Sequence, residues 1–358
     1  MPANQEIEQT DLVEAATAWL RKRLPPSWTI QRSSRPGLVD SALEIQATGV
    51  YATLAIEARR SFGPRDVERL LGSVGRTLRD YNPNLRILVV APWLSARSQA
   101  MLANEGFNYL DLTGNALLRL DNPAVFVHTQ GSAADPSPRP RGKSRVRGPK
   151  AGRLIRLLVD VRPPYGVSAI AATTGLAPGY VSQLLAALDD DALIERSARG
   201  AVESTDIEGL LRRWSDTYDV FKGNDTRTFI APRGAADAIA HLPSSAAVTG
   251  SFAAARLAPV AAPALLCAYV EDPDLAASSL DLLPSAQGAN VALLAPFDPV
   301  VWDRTSRADG VTYAAPSQVV VDCLTGNGRM PAEGEAAMEW LLANEDSWRA
   351  PALSDVHP

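Results

Sequence analysis

Five neighbouring residues near the middle of the chain have side chains or backbone suited to reading a polyanion while carrying no charge themselves. Pro178, Gly179, Tyr180, Ser182 and Gln183 fall on one side of a helical run whose other side is Val181, Leu184, Leu185 and Leu188. A Gln amide presents a donor and an acceptor side by side, the pattern that pairs bidentately with adenine. Ser and Tyr hydroxyls can serve phosphates or base edges. Upstream, Arg139, Arg141, Lys143, Arg145, Arg147, Lys150, Arg153 and Arg156 follow one another with no acid between them. The formal net charge is −5, so this basic run is local and directional. It reads as a phosphate-tracking arm; the plainer alternative is a linker kept solvated by its charge.

Periodicity indicates the elements that must hold these groups. Arg153–Val161 is expected as a helix with Leu154, Leu157 and Leu158 inward, broken by Arg162-Pro163-Pro164. Ser168 is expected to cap a second helix, Ala169–Thr174. Gly175 lets the chain turn, and a third helix is expected from Pro178 to Asp189, with its proline near the start. Ile194–Val202 reads as a hairpin with Arg196 and Arg199 near its tip, suited to phosphate or the minor groove. Helix, turn, helix and wing over 151–225 make the layout of a winged helix-turn-helix, which presents its last helix to a DNA major groove. Such modules also dock proteins. A helix over 206–219, with Leu210, Leu211 and Trp214 apolar, continues the module and is a candidate dimer contact.

Before this module, residues 131–150 (GSAADPSPRPRGKSRVRGPK) lack an apolar period and read as a flexible basic connector. Residues 1–130 read as an αβ domain. A helix at 11–24 is followed by strands at 29–33, 41–47 and 51–59, with Gly49 in a hairpin turn. A helix over 64–81, a β-branched strand at 85–91, a helix at 95–105 capped by Ser95, and strands at 107–112, 116–120 and 125–128 follow. This order resembles the restriction-endonuclease-like core, the PD-(D/E)xK fold. The resemblance implies an Asp on one strand and an acid-x-Lys on the next, the acids holding Mg²⁺ and the Lys stabilising developing charge. The matching positions are Asp40, Glu57 and Arg59. Arg stands where Lys belongs and cannot take a proton from water, so a degenerate domain used for binding or dimerisation is the leading expectation. An ion pair at a strand end is the plainer reading of Glu57 and Arg59. Mg²⁺ is expected only if the site is active, and no other cofactor is expected. Gly114-Asn115, in Tyr109-Leu-Asp-Leu-Thr-Gly-Asn115, marks a hairpin turn.

Residues 226–348 read as a second αβ domain, followed by a tail at 349–358. Thr249-Gly250-Ser251 and Cys267-Ala-Tyr-Val-Glu271-Asp272 resemble the nucleotidyltransferase pattern, in which Gly-Ser holds phosphates and paired acids on a strand hold Mg²⁺. Here Ala268-Tyr269-Val270 stand where the acids belong, so a working transferase is not expected. The plainer reading of Gly250-Ser251 is a helix N-terminus packed in a core, and a degenerate nucleotidyltransferase-like domain is the alternative.

The winged helix, the segment Ala247-Val-Thr-Gly-Ser-Phe-Ala-Ala254, and the tail Tyr313–Leu324 with Gly328-Arg329, Pro331 and Glu333 are similar to AbiEi-type antitoxin regulators of type IV toxin–antitoxin systems. The resemblance covers roughly the last 200 residues. It implies a repressor of its own operon and an αβ domain opposing a nucleotidyltransferase-like toxin. This chain differs in that its winged helix is internal, with a large αβ domain before it.

Composition sets the remaining bounds. The chain has 358 residues, long enough for two or three domains, and is 46% hydrophobic and 21% charged, ordinary for soluble globular protein. The fold class, multidomain α/β, comes from the order of elements along the chain. Two cysteines and three scattered histidines give no disulfide framework and no metal-site spacing. An acidic, polar N-terminus and the lack of an apolar run of roughly 18 residues point to a cytoplasmic protein with no membrane partner. The expected partner is double-stranded DNA, bound by a homodimer. The alternative is a nuclease targeted by the winged helix.

Overall fold

The computed structural model describes residues 9–32, 41–72, 85–136 and 146–355. They form two compact units, 1–142 with 190–192, and 143–189 with 193–358.

The first unit contains α1 (Gln9–Arg23), β1 (Thr29–Arg32), β2 (Ala42–Ala47), β3 (Val50–Ala58), α2 (Pro64–Leu70), β4 (Leu85–Ala91), α3 (Ala96–Asn104), β5 (Asn108–Asp111), β6 (Ala116–Leu120) and β7 (Val125–Thr129). The seven strands lie in chain order in one sheet. β1–β2–β3 is an antiparallel meander, β3–β4–β5 run parallel, and β5–β6–β7 return antiparallel. The parallel strands need crossovers, and helices supply them. The apolar face of α1, with Leu12, Ala16 and Leu20, clusters with Leu43, Leu54, Leu88 and Val90. On alternate strand residues, Ile87, Val89 and Tyr109 cluster with Val67 and Leu102 from α2 and α3. Strand alternation thus divides the unit into two layers of core. Gly49 takes the positive φ of the hairpin turn, and the Ser95 hydroxyl accepts from Ser98 N at 3.1 Å, as a capping serine should. The helix expected over 64–81 is described as far as Leu70; residues 73–84 lie outside the described residues.

The second unit opens with α4 (Pro149–Asp160), α5 (Val167–Thr174), α6 (Pro178–Asp190), the hairpin β8 (Ile194–Arg196) and β9 (Val202–Thr205), and α7 (Ile207–Ser215). There follow α8 (Val220–Gly223), β10 (Asp225–Ile230), α9 (Ala235–Ala240), β11 (Ala247–Thr249), α10 (Gly250–Leu257), β12 (Leu266–Tyr269), α11 (Pro273–Ser279), β13 (Leu283–Pro284), β14 (Val291–Ala295), β15 (Ser306–Ala308), β16 (Val311–Tyr313), α12 (Pro316–Leu324), α13 (Met330–Ala343) and α14 (Glu345–Trp348). The second sheet has the order β13-β10-β14-β12-β11-β16-β15. α12 packs against both α4 and α7, so the helices of 149–215 and the sheet share one hydrophobic cluster, from Leu154, Val181 and Leu210 to Tyr269, Leu293 and Val320.

Two features differ from expectation. α4 begins at Pro149, within the stretch read as a connector. The apolar period starts only at Ala151, but Pro is pre-set for a first helical turn and Lys150 is a good helix former. Leu210, Leu211 and Trp214 of α7 are buried in this chain's own core, so they are not available as a dimer contact.

Candidate nucleic-acid interface

α5 ends at Gly175, whose φ of +67 lets the chain reverse before α6 without the Cβ clash other residues meet there. Val181, Leu184, Leu185 and Leu188 of α6 are buried, while Pro178, Gly179, Ser182 and Gln183 are exposed and Tyr180 is half-buried. The outward face is therefore the uncharged polar one that the spacing requires. Ser168 is exposed but does not cap α5. Gly166 occupies the cap position with no side-chain bond, and Ser168 lies inside the first turn. The helix starts two residues earlier than the serine implies because Val167 and Ile170 turn toward the core.

In the hairpin, the Arg196 guanidinium donates to Gly200 O from Nε at 3.2 Å and Nη2 at 3.1 Å. Gly200 sits at φ +83. Arg196 thus closes its own turn, and Arg199 is the exposed cation of the tip. Glu195 and Glu203 are exposed on the flanking strands, so the hairpin is basic only at its end.

The basic run divides in the same way. Arg147 and Lys150 are exposed at the start of α4. Arg139, Arg141, Lys143 and Arg145 lie outside the described residues. Arg153 and Arg156 belong to the fold rather than to an arm. Arg156 is 1% exposed and donates to Asp160, to Gln318 at 3.3 Å, and to the carbonyls of Val300 and Asp303. Arg153 grips Asp298.

Other arginines join the same two layers. Arg349 donates to Leu158 O, Val161 O and Thr205 Oγ1. Arg304 donates to Asp160 O and Trp348 O. Arg212 meets Glu335 through two bonds of 2.9 Å, which holds the Glu335 carboxyl below its usual range. Guanidinium groups suit this role because each carries five donors in a fixed fork. Arginine spacing alone does not separate these from the unpartnered cations; the carboxylates and carbonyls that meet them do, since Arg212 is itself exposed.

The other candidate sites come out differently. Glu57 is half-buried near the end of β3, and its carboxylate accepts from Arg59 Nε at 2.5 Å. Asp40 lies outside the described residues. Among the described residues no group of three or more His, Cys, Asp or Glu could hold a metal ion. With Arg59 on the Glu57 oxygen, the described residues do not fit Mg²⁺. Next to the second sheet, Ser251 of the Gly-Ser pair is 7% exposed and its hydroxyl donates to Glu333, an acid, where a phosphate-binding pair would face an anion. Asp272 caps α11 through Asp274 N and Leu275 N at 2.9 and 3.0 Å.

Sequence reasoning missed the polar centre beside that pair. Asp322 is fully buried and accepts from Thr249 Oγ1 at 2.5 Å, Gln318 Nε2 at 2.8 Å, and the hydroxyls of Tyr218 and Tyr269. Burial raises its pKa to about 6 despite these bonds. Burial also pushes the Cys267 thiol up to about 12 and raises Cys323, which favours the protonated thiol in both. A lone acid in the apolar run Val319-Val-Val-Asp-Cys323 was the available signal.

The chain is a mixed α/β protein, and its described residues form two seven-stranded sheets and a helical layer bearing a hairpin. No helix among the described residues is long and apolar enough to cross a membrane. No protein-family model matches the chain, and no curated protein matches it. Among solved structures, the apo form of EndoMS aligns at 22% identity over 29% of this chain and 46% of that one, with a TM-score of 0.21. A likeness of that extent carries no argument.

Proposed function

We propose that this chain is a sequence-reading DNA-binding protein, a transcriptional regulator in class. The observation that carries the reading is the pairing of α5 and α6 across left-handed Gly175, with Gln183, Ser182 and Tyr180 on the outer side of a helix whose inner side is buried. A helix so presented can enter a major groove, where a Gln amide discriminates adenine. The helix has no cation on that face, so discrimination falls to it and affinity to Arg147, Lys150, Arg199 and the basic residues before them. In the same reading the regulator is AbiEi-like and works as a homodimer. A nucleotidyltransferase-like toxin encoded beside it would be its protein partner.

The test is selection from a random duplex library with the purified protein at low salt. Enrichment of a defined motif is expected. No binding at low salt would remove the reading. Mg²⁺-dependent cleavage lost in Glu57→Ala would replace it with a nuclease guided by the same helix.

A further inference from the structure

We propose that Arg153 is a positioning residue for the reading helix α6, and that Asp298, in the turn that follows β14, holds it in place. The proposal rests on the DNA-binding reading above. Arg153 Nε lies 3.2 Å from Asp298 Oδ1 and Nη2 lies 2.8 Å from Oδ2, a bidentate pair. The third arm, Nη1, donates to Thr174 O at 3.0 Å. Thr174 is the last residue of α5, directly before the turn that sets the direction of α6. One guanidinium therefore joins three parts: α4, which carries it, the turn between α5 and α6, and the segment at 298.

Asp298 is itself fixed. Its side chain is 4% exposed, and Oδ1 accepts from Val300 N at 3.0 Å. A short, buried carboxylate with a backbone anchor cannot follow Arg153 elsewhere, so it determines where the guanidinium sits. The turn carbonyl is then held at a set distance from the sheet. Bidentate base contacts tolerate little angular error. The sheet layer thus acts as a platform that sets the angle at which α6 meets DNA. Arg153 shares a basic run with Arg147 and Lys150 but is two bonds committed to an acid, which removes it from the cations free to meet phosphate.

The experiment uses the full chain with a duplex obtained by selection and a scrambled duplex of equal length. Dissociation constants are measured by fluorescence anisotropy across a salt series for wild type, Arg153→Lys, Asp298→Asn and the double variant. Asn at 298 still accepts from Val300 N, and Lys keeps the charge but cannot fork. The expected result is a loss of about tenfold or more in selected-over-scrambled preference for each single variant, of the size of one lost base contact. The double variant should be no worse than the weaker single, and the slope of log Kd against log salt should stay unchanged. Preference kept in both singles overturns the proposal. So does an added Arg153→Gln variant that lowers the salt slope by about one while Asp298→Asn leaves it alone, since that marks a phosphate contact. Wild type binding no duplex overturns the DNA-binding reading as well. Circular dichroism melts confirm folding, and if one single variant fails to fold, the other decides.

Discussion

The Tyr269 hydroxyl lies 3.0 and 2.9 Å from the two oxygens of the Asp322 carboxylate. The other groups that bond this carboxylate, Thr249, Gln318 and Tyr218, are neutral too. A buried carboxylate with no cation among these partners keeps its proton more readily than the unfolded chain does. Its pKa rises from the ordinary 3.8 to about 6. The folded state therefore binds the extra proton between these values. The stability this group contributes is full below 3.8 and is lost as pH rises through 6, by roughly 3 kcal/mol at most. The melting temperature should rise on going from pH 7.5 to 5, and Asp322→Asn should flatten that rise. Glu335, held down mainly by its bond from Arg212, acts in the opposite sense, but only as pH falls below 4.5. A calorimetric pH series checks the difference, and an unaltered slope in Asp322→Asn would refute it.

Arg156 is the deepest of the arginine ties. Replacing it with Met leaves the carbonyls of Val300 and Asp303 without this donor and strands Asp160, whose Oδ1 already lacks a partner. Losing one member of a buried pair costs about 3–5 kcal/mol. Urea unfolding should show a loss of that order, partly recovered when Asp160→Leu is added.

Salt dependence separates the free cations from the committed ones. Arg147→Ala, Lys150→Ala and Arg199→Ala should each reduce the slope of log Kd against log salt by about one if each residue meets a phosphate. Arg196→Ala, whose guanidinium is spent on Gly200 O, should change it less. Equal effects from Arg196 and Arg199 would contradict the assignment of the wing tip.

Gln183→Ala should relax preference at one position of the selected site, by about 1–3 kcal/mol, and leave the salt slope intact. Repeating the selection with the variant reads this directly. An unchanged motif would count against α6 as the reading helix.

Gly131 is the most closely surrounded of the described glycines of the first unit. Its N–H donates to Asn115 Oδ1 at 2.8 Å, and a Cβ there would fall 2.4 Å from Thr113 O and 2.6 Å from Asn115 N. The obstacles are backbone atoms, so they cannot step aside as a side chain could. Gly131→Ala should destabilise the protein by about 1–3 kcal/mol in a thermal melt, whereas Gly49→Ala meets no atom within 4 Å and carries only the strain of its positive φ.

Most of the elements were legible because their signals are local. Period-2 alternation located β2 and β3, a Ser located the cap of α3, and Gly175 located the turn before α6. Each depends on residues only a few positions apart. The start of α4 was not legible, since its first turn holds Pro149 and Lys150 and no apolar side chain. Nor was the end of the basic arm. Arg147 and Arg153 look alike in the chain, and only Asp298, 145 positions later, separates them.

The sequence by itself determined which residues alternate, which turn, and which helix offers a polar uncharged face. Folding decided what became of the charges. An arginine's role depends on whether a carboxylate or carbonyl waits beside it, and a carboxylate's depends on whether water does. Such neighbours are brought together by long-range packing of α4, α7 and α12 on the second sheet. Arg156–Asp160 and Gln318–Asp322 are i,i+4 pairs, each within one helix. The other partners of Arg153, Arg156 and Asp322 stand 21 or more positions away, so these residues acquired their roles only in three dimensions.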